Sequence, residues 1–94
     1  MIGYKLLQEI KDFLDGKVDP EEFSFDLPSL LVETYKELQK ENGPLAELLN
    51  DFLPDYCGYF CPDPAARSQS PDYLDEDQFR AKVKEVYEQA LKLV

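Results

Sequence analysis

The segment Asp75-Glu76-Asp77-Gln78-Phe79-Arg80-Ala81-Lys82-Val83-Lys84-Glu85-Val86-Tyr87-Glu88-Gln89-Ala90-Leu91 decides the fold class. It opens as a capping box, with Asp75 able to accept from the Gln78 amide and Gln78 able to reach back. Glu76 and Asp77 add negative charge at the positive end of the helix dipole, and Lys92 suits the opposite end. Phe79, Val83, Val86, Tyr87, Ala90 and Leu91 recur at three- and four-residue spacing, one apolar face of a helix. No comparable stretch alternates with the two-residue period of a strand.

The same spacing returns at the other end of the chain. Tyr4, Leu6, Leu7, Ile10, Phe13 and Leu14 form a stripe over residues 2–15. Gly16 follows, where a left-handed residue ends a helix. Asp19-Pro20-Glu21-Glu22 then reads as a second start: Asp19 as cap, Pro20 in the first helical position, and Glu22 closing a capping box. Pro28 lacks an amide hydrogen and clashes with the preceding turn. The expectation is therefore a short turn, a break near Asp26–Leu27, and a helix restarting at Pro28 with Leu31, Tyr35 and Leu38 inward. That helix stops near Asn42-Gly43. Pro44 opens a third, with Leu45, Leu48, Leu49, Phe52 and Leu53 as its stripe, and Pro54 is expected to end it. Residues 55–74 contain Gly58, Pro62, Pro64 and Pro71 and show no clean period, so they read as a long connection. The expected architecture is all-α: one domain over residues 1–94, an antiparallel four-helix bundle with its second helix interrupted near Pro28 and a long loop before the last helix.

Charge is the dominant compositional fact. Twenty acids face ten bases, a net of −10, and histidine is absent. Residues 47–77 hold eight acids and only Arg67, whereas residues 78–94 carry +2. Such a field repels nucleic acid and anionic membranes and draws in basic partners. No apolar run approaches the ~20 residues of a membrane span. The start of the chain is amphipathic and lacks the apolar core of a signal peptide, so a cytoplasmic location is expected.

The composition also argues against several chemistries. Without histidine, serine and cysteine nucleophiles lack their usual base, and a zinc site would need more than Cys57 and Cys61. Asp75-x-Asp77 does not continue as a calcium loop, because residue 80 is Arg and residue 86 is Val. Cys57 and Cys61 stand four residues apart, one more than a redox pair prefers, and read as small packing thiols. Asp26-Leu27-Pro28-Ser29-Leu30 weakly resembles the attachment motif of acyl carrier proteins, with proline where aspartate belongs. No catalytic residue, cofactor or metal is expected.

What remains is an interleaving of acids and aromatics: Asp51, Asp55, Tyr56, Tyr59, Phe60, Asp63, Asp72 and Tyr73. Carboxylates meet lysines and arginines, while tyrosines supply rigid amphipathic contact area, so these residues are the candidate partner-binding face. The alternative is a solvated loop whose tyrosines cover the core.

Two stretches carry a family resemblance. Phe13-Leu14-Asp15-Gly16-Lys17-Val18 leading to Glu22-Phe23, and the acid-rich stretch ending in Leu74-Asp75-Glu76-Asp77-Gln78-Phe79-Arg80-Ala81-Lys82-Val83, together resemble the colicin D-like immunity proteins. That family, bacterial self-protective colicin-like immunity domains, includes immunity proteins of contact-dependent growth inhibition systems. The resemblance implies an immunity protein whose partner is a basic toxin nuclease domain, typically a tRNase, with acids standing in for RNA phosphates. By residue matching, Asp51, Asp55 and Asp63 are the acids it carries over. A generic acidic adaptor or regulatory domain, or an acyl-carrier-like protein modified on Ser29, stays open as an alternative. The oligomeric state is open between monomer and weak homodimer.

Overall fold

The computed structural model describes residues 2–94. Among them the chain forms five helices: α1 (Ile2–Leu14), α2 (Pro20–Glu41), α3 (Gly43–Tyr59), the single turn α4 (Pro64–Arg67) and α5 (Glu76–Leu91). The fold is all-helical, as the periodicity predicts. The one strand-like feature among the described residues is an isolated parallel bridge, Phe60 to Leu74. Each long helix packs on two others: α1 and α3 each lie against α2 and α5. The molecule measures 42 × 22 × 21 Å, so it has a long axis and two distinct ends.

Local signals act where the sequence places them. Gly16 takes φ +82°, the left-handed conformation that closes α1. There the Lys17 amide donates to the Asp12 carbonyl at 2.8 Å and Gly16 to Phe13 at 3.0 Å, the paired bonds of a Schellman cap. Asp19 caps α2 by accepting from the Glu22 amide, without the reciprocal bond of a full box. Asn42 ends α2 and caps α3, accepting from the Leu45 amide. The capping box at α5 is complete, with Gln78 N to Asp75 Oδ1 at 2.8 Å and Asp75 N to Gln78 Oε1 at 3.0 Å.

Two expected helix interruptions are absent, both at proline. α2 is continuous through Pro28, and α3 runs through Pro54 to Tyr59. An interior proline costs roughly 3 kcal/mol or more. In α2, however, Leu27 and Leu31 are both buried across Pro28, and in α3 Leu53 and Cys57 are both buried across Pro54. Burying one apolar side chain contributes about 1.5–3 kcal/mol, the same order as the defect, and the continuous helix keeps each pair on the core-facing line. The connection before α5 is accordingly shorter than expected and contains α4.

The core comprises Leu6, Leu7, Ile10 and Phe13; Phe23, Leu27, Leu31 and Leu38; Leu45, Ala46, Leu49, Leu53 and Cys57; and Phe79, Val83, Val86 and Ala90. At one end four phenylalanines join the ends of four helices. Phe13 stacks on Phe23 at 4.1 Å and meets Phe79 at 5.2 Å, while Phe60 stacks on Phe79 at 4.6 Å. Arg80 seals the group, its guanidinium 4.6 Å from the centre of the Phe13 ring and donating at 2.6 Å to the Phe13 carbonyl. At the opposite end the Gly3 amide donates to Glu41 Oε2 at 2.8 Å, and Asn42 Nδ2 to the Leu93 carbonyl at 2.8 Å. A Cβ at Gly3 would stand 3.2 Å from that carboxylate oxygen and 3.3 Å from Leu45 Cδ2, a tight fit to which those side chains would have to yield.

Phe79→Ala should lower stability by about 3–5 kcal/mol in chemical denaturation, since the ring is fully buried. Pro28→Ala should raise it by roughly 1–3 kcal/mol by restoring an amide donor within a continuous helix. A loss on Pro28→Ala would instead mean that proline opens a helix there.

Candidate functional site

In α3, Glu47, Asp51 and Asp55 lie four residues apart and form one exposed ridge. Beside it run Leu48, Phe52, Tyr56 and Tyr59, again at three- and four-residue spacing. Leu45, Leu49, Leu53 and Cys57 define the core-facing line, so Phe52 falls off it and is 43% exposed. Phe52 stacks on Tyr56 with ring centres 6.3 Å apart. Phe52 thus lies outside the core, although the spacing of the α3 stripe predicts it inside. The signal was its position next to Asp51 in a helix that continues past Pro54. Leu91 and Tyr4, also read as core-facing, are exposed at opposite ends of their stripes.

The remaining candidates separate into two groups. Tyr56 is half-buried against the core, while Tyr59 is 45% and Tyr73 37% exposed. The loop after α3 is closed at its base: the Leu74 amide donates to the Tyr59 carbonyl at 2.8 Å and the Cys61 amide to the Leu74 carbonyl at 2.9 Å. Tyr59 and Tyr73 immediately precede the two bridge residues and are brought together at that base. Asp63 has a structural task, capping α4 by accepting from the Ala65 amide at 3.0 Å. Asp72 is exposed in the turn beyond. Arg67, the lone base of the acidic stretch, is turned into the loop, where it donates to the Cys61 and Pro62 carbonyls at 3.0 and 3.1 Å.

The fold adds acids that lie far away in sequence. Dividing each long helix at its midpoint, the end holding the phenylalanine cluster comprises residues 9–30 and 51–83, with fourteen acids and five bases, a net of −9. The other end has six acids and five bases, a net of −1. Asp19, Glu21 and Glu76, from the starts of α2 and α5, line a shallow cleft of about 340 Å³ together with Phe60, Pro62 and Arg67. Among the described residues the single ion pair is Arg80 to Glu76, at 3.8 Å. The carboxylates of this pole are thus not consumed by internal pairing.

Capping accounts for some of them. Acids at the starts of α2 and α5 are stabilised by the helix dipoles. Asp15 at the end of α1 and Asp55 near the end of α3 sit at negative ends, where the helix dipole opposes them. Folding stability therefore does not explain Asp55.

The thiols are unlike each other. Burial pushes the Cys57 thiol up to about 12, while Cys61 is partly exposed. Ser29 lies within the continuous α2, in its third turn rather than at a helix start, which removes the premise for a carrier-type attachment there. No group of three histidine, cysteine, aspartate or glutamate side chains among the described residues is placed to hold a metal ion. No helix of the structure is long and apolar enough to cross a membrane.

Comparison with known proteins finds no family model, no curated protein and no solved structure that matches this chain.

Asp55→Asn should raise stability by about 0.3–1 kcal/mol at low ionic strength, an increment that shrinks as salt is added. Iodoacetamide at pH 8 should label Cys61 and spare Cys57, as read by mass spectrometry. Cys57 stays a protonated thiol until the pH approaches about 12, and labelling there would show that α3 opens locally.

Proposed function

We propose that this chain is an immunity protein of the colicin D-like type, a non-catalytic inhibitor that binds a basic nuclease toxin and covers its substrate site. The scaffold is an antiparallel four-helix bundle whose acidic pole is the binding end. A site that cuts RNA must be electropositive to hold phosphates, and a carboxylate-rich surface competes for the same lysines and arginines. The observation that carries this reading is the gathering of nearly all the net charge at one pole, which also holds the exposed aromatics Phe52, Tyr59 and Tyr73.

Asp51 and Asp55 pair with cationic side chains of the toxin, and Phe52, Tyr56 and Tyr59 form the desolvated centre of the contact. Asp72 and Tyr73 extend it across the base of the loop. Asp63 contributes by holding α4. An antidote must meet its toxin quickly, and a field confined to the binding end orients the encounter as well as accelerating it. Association is expected to approach about 10⁸–10⁹ M⁻¹s⁻¹ at low salt and to fall steeply as salt rises. The protein acts in the cytoplasm, where a tRNase toxin meets its substrate.

The test uses the product of the gene immediately preceding this one. If it is a basic nuclease domain, its cleavage of transfer RNA should be blocked by an equimolar amount of this protein. Asp51→Lys with Asp55→Lys should weaken that complex about 100-fold, ~2.8 kcal/mol, with an unchanged circular dichroism spectrum. Asp63 is left intact because its loss would loosen α4. Full protection by the double variant would exclude the α3 face.

A further inference from the structure

α2 carries the two most exposed large hydrophobic side chains among the described residues, Phe25 at 76% and Val32 at 77%. They are seven residues apart in one uninterrupted helix, so two turns bring them onto a single stripe. Neither belongs to the core or packs against it. The flanking residues of the helix are acidic: Glu21, Glu22, Asp26 and Glu33 are all exposed, and Lys36 is the only base between residues 20 and 36. Glu21 and Glu22 lie in the first turn and serve the helix dipole. Asp26 and Glu33 lie beyond its reach and have no such task.

We infer that this stripe is a second contact face, with Phe25 and Val32 as apolar anchors inside a carboxylate rim, for a lysine- and arginine-rich protein surface that offers an apolar socket. The inference rests on the reading that the acidic pole binds a basic protein, and it adds α2 to the contact made by α3. Buried anchors within a polar rim are the anatomy of protein interfaces. Charge selects the occupant. A second copy of this chain would set Glu22, Asp26 and Glu33 against their own counterparts, and an anionic membrane or nucleic acid meets the same repulsion. The α2 and α3 faces stand on adjacent helices, whose mutual contact is the most extensive of any helix pair among the described residues. Pro28, between the two anchors, has no amide hydrogen to give the Ser24 carbonyl.

Two synthetic peptides of equal length and equal positive charge separate the contributions: an amphipathic helix of leucine and lysine, and a flexible chain of lysine, glycine and serine. Binding is read by fluorescence anisotropy at 50 mM salt. The parent protein should take the leucine–lysine peptide at least tenfold more tightly than the polar one. Phe25→Ser with Val32→Ala should reduce that preference to what the α3 aromatics alone supply, while leaving affinity for the polar peptide and the circular dichroism spectrum unchanged. Asp51→Lys with Asp55→Lys should weaken both peptides. A Phe25/Val32 variant that keeps the whole preference overturns the second face, and loss of both peptides in the α3 variant would then leave the acidic-face reading standing. Failure of the parent to bind either peptide overturns both.

Discussion

The contact among Phe13, Phe23, Phe60 and Phe79 sets the geometry of the acidic pole proposed to bind a partner. Each ring comes from a different helix end: the close of α1, the opening of α2, the residue after α3 and the opening of α5. Burying them together fixes four chain segments at one pole. Because each ring has acidic sequence neighbours, the carboxylates are carried there with it. Arg80, across the Phe13 ring and bonded to its carbonyl, closes the cluster with the one base positioned to do so. Apolar packing thereby holds in place an arrangement of like charges that electrostatics alone would disperse.

That arrangement has a cost. Like charges at one pole repel, and Asp15 and Asp55 also oppose the dipoles of the helices that carry them. With one ion pair among the described residues, the repulsion is not relieved from within. A surface selected for stability alone would intersperse the two signs. The concentration of charge therefore argues for an external partner that neutralises it, and the aromatics exposed beside the acids supply the area that such a partner would dehydrate. The opposite pole, almost neutral, is stabilised by the ordinary means of a Gly3–Glu41 bond and an Asn42–Leu93 bond.

The prolines show how tertiary packing overrides local preference. Read locally, Pro28 and Pro54 are stops, and each does remove one backbone hydrogen bond. The competing quantity is the register of the buried line. A break at Pro28 would turn either Leu27 or Leu31 away from the core, and an end at Pro54 would release Cys57. The uninterrupted helices also determine the site. Only in an α3 that reaches Tyr59 do Asp55 and Tyr59 continue the four-residue line of Asp51.

The chain alone determined what local chemistry controls. Helical periods mark every long element, Gly16 marks a left-handed close, and Asp19, Asn42-Gly43 and Asp75-x-x-Gln78 mark helix boundaries, because capping depends on residues within one turn of each other. It also determined the excess of acid and the acidic–aromatic mixture around Asp51 to Tyr59. Tertiary structure decided which acids act together. Asp19 and Glu21 are about forty residues from Phe60 in sequence yet line one cleft with it, a proximity that no local pattern encodes. It likewise decided that Phe25, Val32 and Phe52 face outward, since the exposed side of a helix is defined only by what packs on the other side.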